Sequence, residues 1–333
     1  MHYLRFITFL LLLAMVLPFT YGGCYATYGG STTRHDDEDT QFTGIIVSNT
    51  SKATIDSRNA VPLSTAALSG GLRPQDPPNS DSDQTPGKFS QEASRILQLP
   101  LILADALRQI EPAPLLIYFN RSDLIRANGQ FEGSCGGSYS YSLQLNRKTE
   151  IFSAWLAFEN YCTAGLSIAG NTEIEGSFQP ASGEFISATF YFENISDGAH
   201  SLEGEISMDF SDSPILANFN AYSTDEHDGQ VYWIKDYSLN LFEFAGRVEI
   251  EVFGTFYHPD YGYVILTTSE PFILYDDDSR PAAGRMMIYG DQNTSAQFMA
   301  FDHLHYGIEA DSAGDGIFDW DSGILNWTDT TSG

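Results

Sequence analysis

Basic side chains are scarce in this sequence. Lys and Arg number 16 against 44 Asp and Glu, a formal net charge of −28 over 333 residues. Nucleic-acid binding needs clustered cations to displace counterions from phosphates, so that class is excluded. Docking of the folded part onto anionic lipid is disfavoured for the same reason. Such acidity suits a solvated surface, where repulsion keeps copies dispersed, and saline habitats. Cysteine is scarcer still, at three: Cys24, Cys135 and Cys162. A zinc site would want more Cys or His at close spacing. Catalytic signatures are missing as well. The sequence has no Gly-x-Ser-x-Gly elbow, no phosphate-cradling P-loop, no His-Glu-x-x-His, and no Gly-rich loop entering a helix.

An export signal is present. "MHYLRFITFLLLLAMVLPFTYGGC" carries Arg5 and then an apolar run over residues 6–16. That run is too short and too close to the start for an ordinary membrane span, and it predicts a signal peptide over residues 1–23. "TYGGC" ends in Cys24 behind two small residues and resembles the bacterial lipobox, although Tyr21 stands where an aliphatic residue is preferred. Cys24 is then the lipid-bearing first residue of the mature chain; the alternative is cleavage nearby with Cys24 unmodified. Lipidation also accounts for the odd cysteine count by leaving Cys135 and Cys162 to each other.

Residues 24–41 are small, polar and acidic, the composition of a flexible tether. Residues 42–71 combine a strand-like start with a short helix, Asn59 as its cap and Gly70 and Gly71 as its end. Residues 72–88 are rich in Pro, Asp and Ser and read as a linker. Residues 89–112 space Ile96, Leu97, Leu103, Leu107 and Ile110 as a helix does. Ser90 is its predicted cap, Pro100 a kink or split and Pro112 its stop, with packing on the body of the protein as its use.

From 117 to 328 the period switches to two, in runs such as "SYSYSLQL", "IFSAWLAF", "ISATFYFENI" and "VEIEVFGTF" separated by Gly, Asn and Asp. No second helical stretch interrupts them, so the sheet must be antiparallel and hairpin-connected. The fold class is therefore mainly β: a large antiparallel meander that curls or partly closes to protect its edges, with a short N-terminal helical segment. The recurring strand-Gly-strand phrase in "GLSIAGNTEIEGSF", "HSLEGEISMDF" and "EIEVFGTFYH" suggests irregular duplication of a hairpin unit. Cys135 and Cys162 flank two strand-like runs, which would bring them together on neighbouring strands. In an oxidising compartment a disulfide is the default.

"TGIIVSNTSKATIDSRNAVPLSTAALSGG", "GSCGGSYSYSLQLN", "FENYCTAGLSIAGNTEIEGSF", "GYVILTTSEPF" and "EADSAGDGIFDWDSGILNW" follow one another in this order. Together they resemble uncharacterised lipoproteins of Gram-negative bacteria. The resemblance implies an exported, mostly β protein with a disulfide; anchoring to the outer membrane by lipid on Cys24 is the localisation expected. It implies no activity.

The last of these segments holds Asp311, Asp315, Asp319 and Asp321, and the look-alike proteins usually read D-x-D-G-D-G-x-x-D there. Such loops offer carboxylates to calcium at alternate positions. Here Ala313 takes the third position and Ser322 the twelfth, leaving at most a weak calcium site, with affinity on the order of 10⁻⁴–10⁻³ M. The reading preferred to calcium is an Asp/Gly turn between strands, with Ile324 and Trp327 available for the core. His303 and His305 would share one strand face, and His258 lies in a Pro-Asp turn. Glu173/Glu175 and Glu249/Glu251 read as solvated strand faces rather than glycosidase carboxylates. The aromatics of "VYWIKDYS", "FYHPDYGY" and "FDWDSGILNW" suit the inner sheet face first and sugar stacking second.

The sequence thus predicts a lipid-anchored envelope protein with a structural or ligand-binding role and no catalytic residue or cofactor beyond weak calcium. A surface polymer or an envelope protein is its expected partner, and the oligomeric state is not legible. A surface carbohydrate-binding or glycan-hydrolysing protein and an outer-membrane β-barrel are the alternatives.

Overall fold

The computed structural model describes residues 47–70, 95–110, 123–163, 166–275, 278 and 280–327. Cys24, the leader, the tether, the 72–88 linker, Ser90 and Pro112 lie outside them.

Alternation of apolar and polar side chains puts every second residue of a strand on one face, and the strands follow it closely. They are β1 (Leu124–Glu132), β2 (Gly136–Asn146), β3 (Ile151–Thr163), β4 (Leu166–Phe178), β5 (Phe185–Ser196), β6 (His200–Asp209), β7 (Ile215–Asp225) and β8 (Val231–Phe244). There follow β9 (Arg247–His258), β10 (Gly262–Tyr275), β11 (Ala283–Tyr289), β12 (Ser295–Ala300), β13 (His305–Asp311), β14 (Trp320–Asp321) and β15 (Leu325–Asn326). Consecutive strands pair from β1 through β14, and β15 pairs with β13 rather than with β14. All these pairings are antiparallel, as the hairpin meander predicts, and the sheet is not closed. In β7, Ile215, Ala217, Phe219 and Ala221 point inward and are buried, whereas Leu216 and Asn218 face water.

The glycines of the strand-Gly-strand phrase do not turn hairpins. Gly170, Gly204 and Gly254 lie inside β4, β6 and β9. At two of them the neighbouring strand carries an Asn or Asp in the left-handed region, Asn160 (φ 50°) beside Gly170 and Asp236 (φ 49°) beside Gly254. Register shifts fall at both places. A Cβ on Gly254 would stand 2.6 Å from the Cα of Tyr237, so only glycine fits there. An extra left-handed residue facing a glycine is how a strand bulges and coils, and repeating it bends a long meander. "LSIAG" and "EIEGSF", which read as two strands, are the single bent strand β4.

Two helices fill the inner face. α1 (Ala60–Ser69) is buried nearly all round, and Gly70 ends it at φ 67° by donating its N–H to the Ala66 carbonyl. Asn59 precedes α1 without capping it; its side chain instead accepts from the Asp56 amide (2.8 Å) and donates to the Thr54 carbonyl (2.9 Å). α2 (Arg95–Gln109) runs through Pro100 rather than splitting there. Leu99, Ile102, Leu103, Ala106, Leu107 and Ile110 of this segment are buried in the same core as the strands. The hydroxyl of Tyr139 on β2 donates to Ala106 of α2 (2.8 Å), and that of Tyr237 on β8 donates to Ala67 of α1 (3.4 Å). α1 also packs against β9, β12 and β13. Strands from both halves of the meander therefore hold the helices. Burial pushes the Tyr237 and Tyr139 phenols far above their ordinary range, so both stay neutral donors. Among the described residues no helix is long and apolar enough to cross a membrane.

Candidate functional site

Cys135 and Cys162 are joined, Cα atoms 5.1 Å apart. Cys135 immediately precedes β2, and Cys162 on β3 pairs with Gly136 beside it. The neighbouring-strand placement expected from the sequence is the one found. The bridge pins the β1–β2 turn to β3 and leaves no free thiol among the described residues.

The acidic stretch after β13 is organised by its own backbone. Asp311, 2% exposed, accepts from the amides of Gly314 (2.7 Å), Asp315 (3.2 Å) and Gly316 (2.7 Å). Asp315 accepts from the Ile317 amide (3.0 Å) and Asp321 from the Gly323 amide (2.7 Å). Asp319 accepts from the amide of Ser312 (3.0 Å) and from its hydroxyl (2.8 Å). These bonds, the Ser312 amide foremost, hold the Asp319 carboxyl below its usual range. Among the described residues no three His, Cys, Asp or Glu side chains converge as a metal site would need. A calcium ion at Asp311, Asp315, Asp319 and Asp321 would have to share oxygens already bonded to amides. Trp327 enters the core at 2% exposure, but Ile324 is 73% exposed and does not.

His303 and His305 do not share a strand face: His303 sits in the turn before β13, and His305 begins the strand. The side chain of Asp302 accepts from the His305 amide (2.8 Å) and its carboxylate lies 2.9 Å from Nδ1. His258 ends β9 fully buried, its Nδ1 accepting from the Asp260 amide (3.1 Å) and its ring edge-on to Tyr232. Glu249 is met by Arg247 (2.7 Å) and Glu251 by Asn240 (2.9 Å), both on the outward side of β9.

The feature with chemical reach is a row that no single strand reveals. On the outward face Ser142 of β2 lies opposite Trp155 of β3, and Trp155 opposite Glu173 of β4. Glu173 lies opposite Tyr191 of β5, Tyr191 opposite Glu205 of β6, and Glu205 opposite Asn220 of β7. The row runs perpendicular to the strands, one side chain per strand. Trp155 is 41% and Tyr191 42% exposed. Around Trp155 a shallow depression is lined by Ser142, Gln144, Ser153, Glu173 and Glu175. Beside Asn220, which accepts from the Trp233 indole (3.2 Å), a separate cluster of rings begins in register with Tyr222, two residues along β7. Tyr222 and Trp233 are 5.5 Å apart between centroids, Trp233 and Tyr257 4.6 Å, Tyr257 and Tyr263 5.3 Å. Lys235 caps the Trp233 ring at 4.7 Å.

The aromatic clusters read from sequence are split by this arrangement. Tyr232, Tyr237 and Phe256 face the core, while Trp233, Tyr257 and Tyr263 face outward. Trp155 and Tyr191 stood outside those clusters. The signal that could have found Trp155 is its phase: in "IFSAWLAF" Phe152, Ala154, Leu156 and Phe158 take the buried parity, leaving Trp155 with Ser153 on the water side.

Comparison with protein families, with curated proteins and with solved structures finds no match to this chain.

Proposed function

We propose that this chain is a non-catalytic binding protein of the bacterial cell envelope, held to the outer membrane by lipid on Cys24 and meeting its partner through the outer face of the sheet. One observation carries the binding part: the inner face is filled by core and helices, so recognition falls to the outer face, where Trp155, Glu173 and Tyr191 stand exposed in one row. Single exposed apolar side chains such as Ile151 and Leu216 also occur on this face and carry no such meaning; what sets Trp155 and Tyr191 apart is that they share one row with a carboxylate between them. The leader, the lipobox-like Cys24 and the acidic tether support the anchor. An outer-membrane barrel fits less well, because outward positions carry Ser142, Ser153, Glu173, Glu175, Asn218 and Glu251, which lipid would not solvate.

Two measurements test this reading. Mass spectrometry of the mature N-terminus should find diacylglycerol on Cys24; an unmodified Cys24 removes the anchor. A soluble Cys24→Ser form should be retained by isolated envelopes, and Trp155→Ala with Tyr191→Ala should release it. Equal retention of both forms refutes the outer-face assignment.

A further inference from the structure

We infer that the row from Trp155 to Glu205 is the binding track of a linear, uncharged polysaccharide laid across strands β3 to β6, an inference that rests on the outer-face reading above. Neighbouring strands lie about 4.8 Å apart. Trp155 and Tyr191, two strands apart in direct register through Glu173, are therefore separated by about 10 Å along the row. Two aromatic platforms about 10 Å apart suit an extended ligand that reaches both, not one compact molecule.

The chemistry narrows that ligand. An indole or phenol face is the negative side of the ring quadrupole and attracts weakly positive C–H groups, which a sugar ring presents on its flat side. Carboxylates between the rings accept hydrogen bonds from hydroxyls, and a sugar offers many at the ring's edge. Glu173 lies between Trp155 and Tyr191, Glu205 follows Tyr191, and Ser142, Gln144, Ser153 and Glu175 surround Trp155. Acidic polymers are excluded by these carboxylates and by the net charge of −28. An extended peptide is disfavoured because β3, β4, β5 and β6 are interior strands, hydrogen-bonded on both sides, with no backbone left to augment.

The ring cluster beside Asn220 lies outside the track. Tyr222, Trp233 and Tyr257 stack on one another, Tyr263 is tilted against Tyr257, and Lys235 lies over Trp233. Those rings brace the sheet. Trp155 makes no such ring contact among the described residues.

Native electrophoresis of the full chain through gels containing dissolved polysaccharide tests the inference. Neutral polymers (a β-glucan, a mannan, a xylan), acidic alginate and cationic polylysine form separate gels. Retardation is expected in at least one neutral gel and not in alginate. Trp155→Ala and Tyr191→Ala should each weaken it about tenfold, the loss of one aromatic stacking contact. Trp155→Tyr should restore most of it, and Ile265→Ala, equally exposed on β10, should change nothing. Matching melting curves for the variants exclude misfolding as the cause. Retardation by alginate or polylysine alone, or neutral binding indifferent to Trp155 and Tyr191, overturns the inference. Retention on envelopes that depends on Trp155 and Tyr191, with no neutral polymer bound, overturns it while leaving the outer-face reading intact; loss of both overturns both.

Discussion

Opening the Cys135–Cys162 bridge should cost about 3.5 kcal/mol of stability without disturbing the native sheet. The bridged residues are 27 apart in sequence. Closing a loop of that length removes roughly 12 cal/mol/K of chain entropy from the unfolded state, or about 3.5 kcal/mol at 25 °C. The native state has little to lose, because the strands are already in register there: Gly136 faces Cys162, and the Cys135 amide donates to the Cys162 carbonyl (3.2 Å). With a urea slope near ~3 kcal/mol/M, the upper range for single domains, the midpoint should fall by about 1 M. The assay is urea unfolding by tryptophan fluorescence of the oxidised protein and of the Cys135→Ser, Cys162→Ser double variant, which avoids free thiols. Unchanged midpoints would refute the chain-entropy reasoning. A changed far-ultraviolet dichroism without urea would refute it differently, by showing that the bridge holds the hairpins together in the native state.

The other predictions concern the C-terminal edge. Trp327 packs against Tyr306 (4.8 Å between centroids) and Phe298 (5.6 Å) and donates its indole N–H to the Asp302 carbonyl (3.1 Å). Trp327→Ala should destabilise by about 3–5 kcal/mol, and Trp327→Phe, which keeps a ring but loses the donor, by about 1 kcal/mol; equal midpoints for the two would refute the division. Asp319 has a folded pKa depressed below its unfolded one, so its bonds to Ser312 stabilise the loop at and above the ordinary carboxylate range and fail as pH falls through the folded value. Hydrogen exchange at the Ser312 amide should accordingly accelerate only in strong acid, and acceleration already near the ordinary carboxylate range would count against it. For calcium, whose candidate oxygens already accept from backbone amides, calorimetry at millimolar calcium should give the same flat titration for the native protein and for Asp315→Ala; binding on the order of 10⁻⁴–10⁻³ M that Asp315→Ala abolishes would refute the turn reading.

The meander was legible because every strand prints its own parity: "SLQL" and "IFSAW" alternate visibly, and with no helices between runs only hairpins can join them. The bends were not. Gly170 and Gly254 look like turn residues until their left-handed neighbours Asn160 and Asp236 are seen across the strand. Pro100 reads as a breaker, yet α2 tolerates it where the buried faces of Leu99, Ile102 and Leu103 hold the helix in the core. The Asp stretch displayed its turn chemistry openly, since Asp and Gly at short spacing bond their own backbone. The Trp155 row could not be read at all. Its members are 18 residues apart from Trp155 to Glu173 and again from Glu173 to Tyr191, and a single slipped register would move each out of line.

The two helices have a consequence for the order in which the chain acquires its structure. Hairpins of the meander join neighbours in sequence and can zip locally, but α1 is tied to residues made far later. The Tyr237 bond to Ala67 spans 170 residues, and that from the Ile55 amide to the Thr294 hydroxyl spans 239. The segment that emerges first thus finds its seat last, and until then the apolar face of the sheet stays open to water. Contacts so distant slow folding, and an uncovered apolar sheet attracts other chains. The interval between the first helix and the strands that receive it is therefore the chain's exposed stage, and truncation after β8 would prolong it by leaving α1 without β9, β12 and β13.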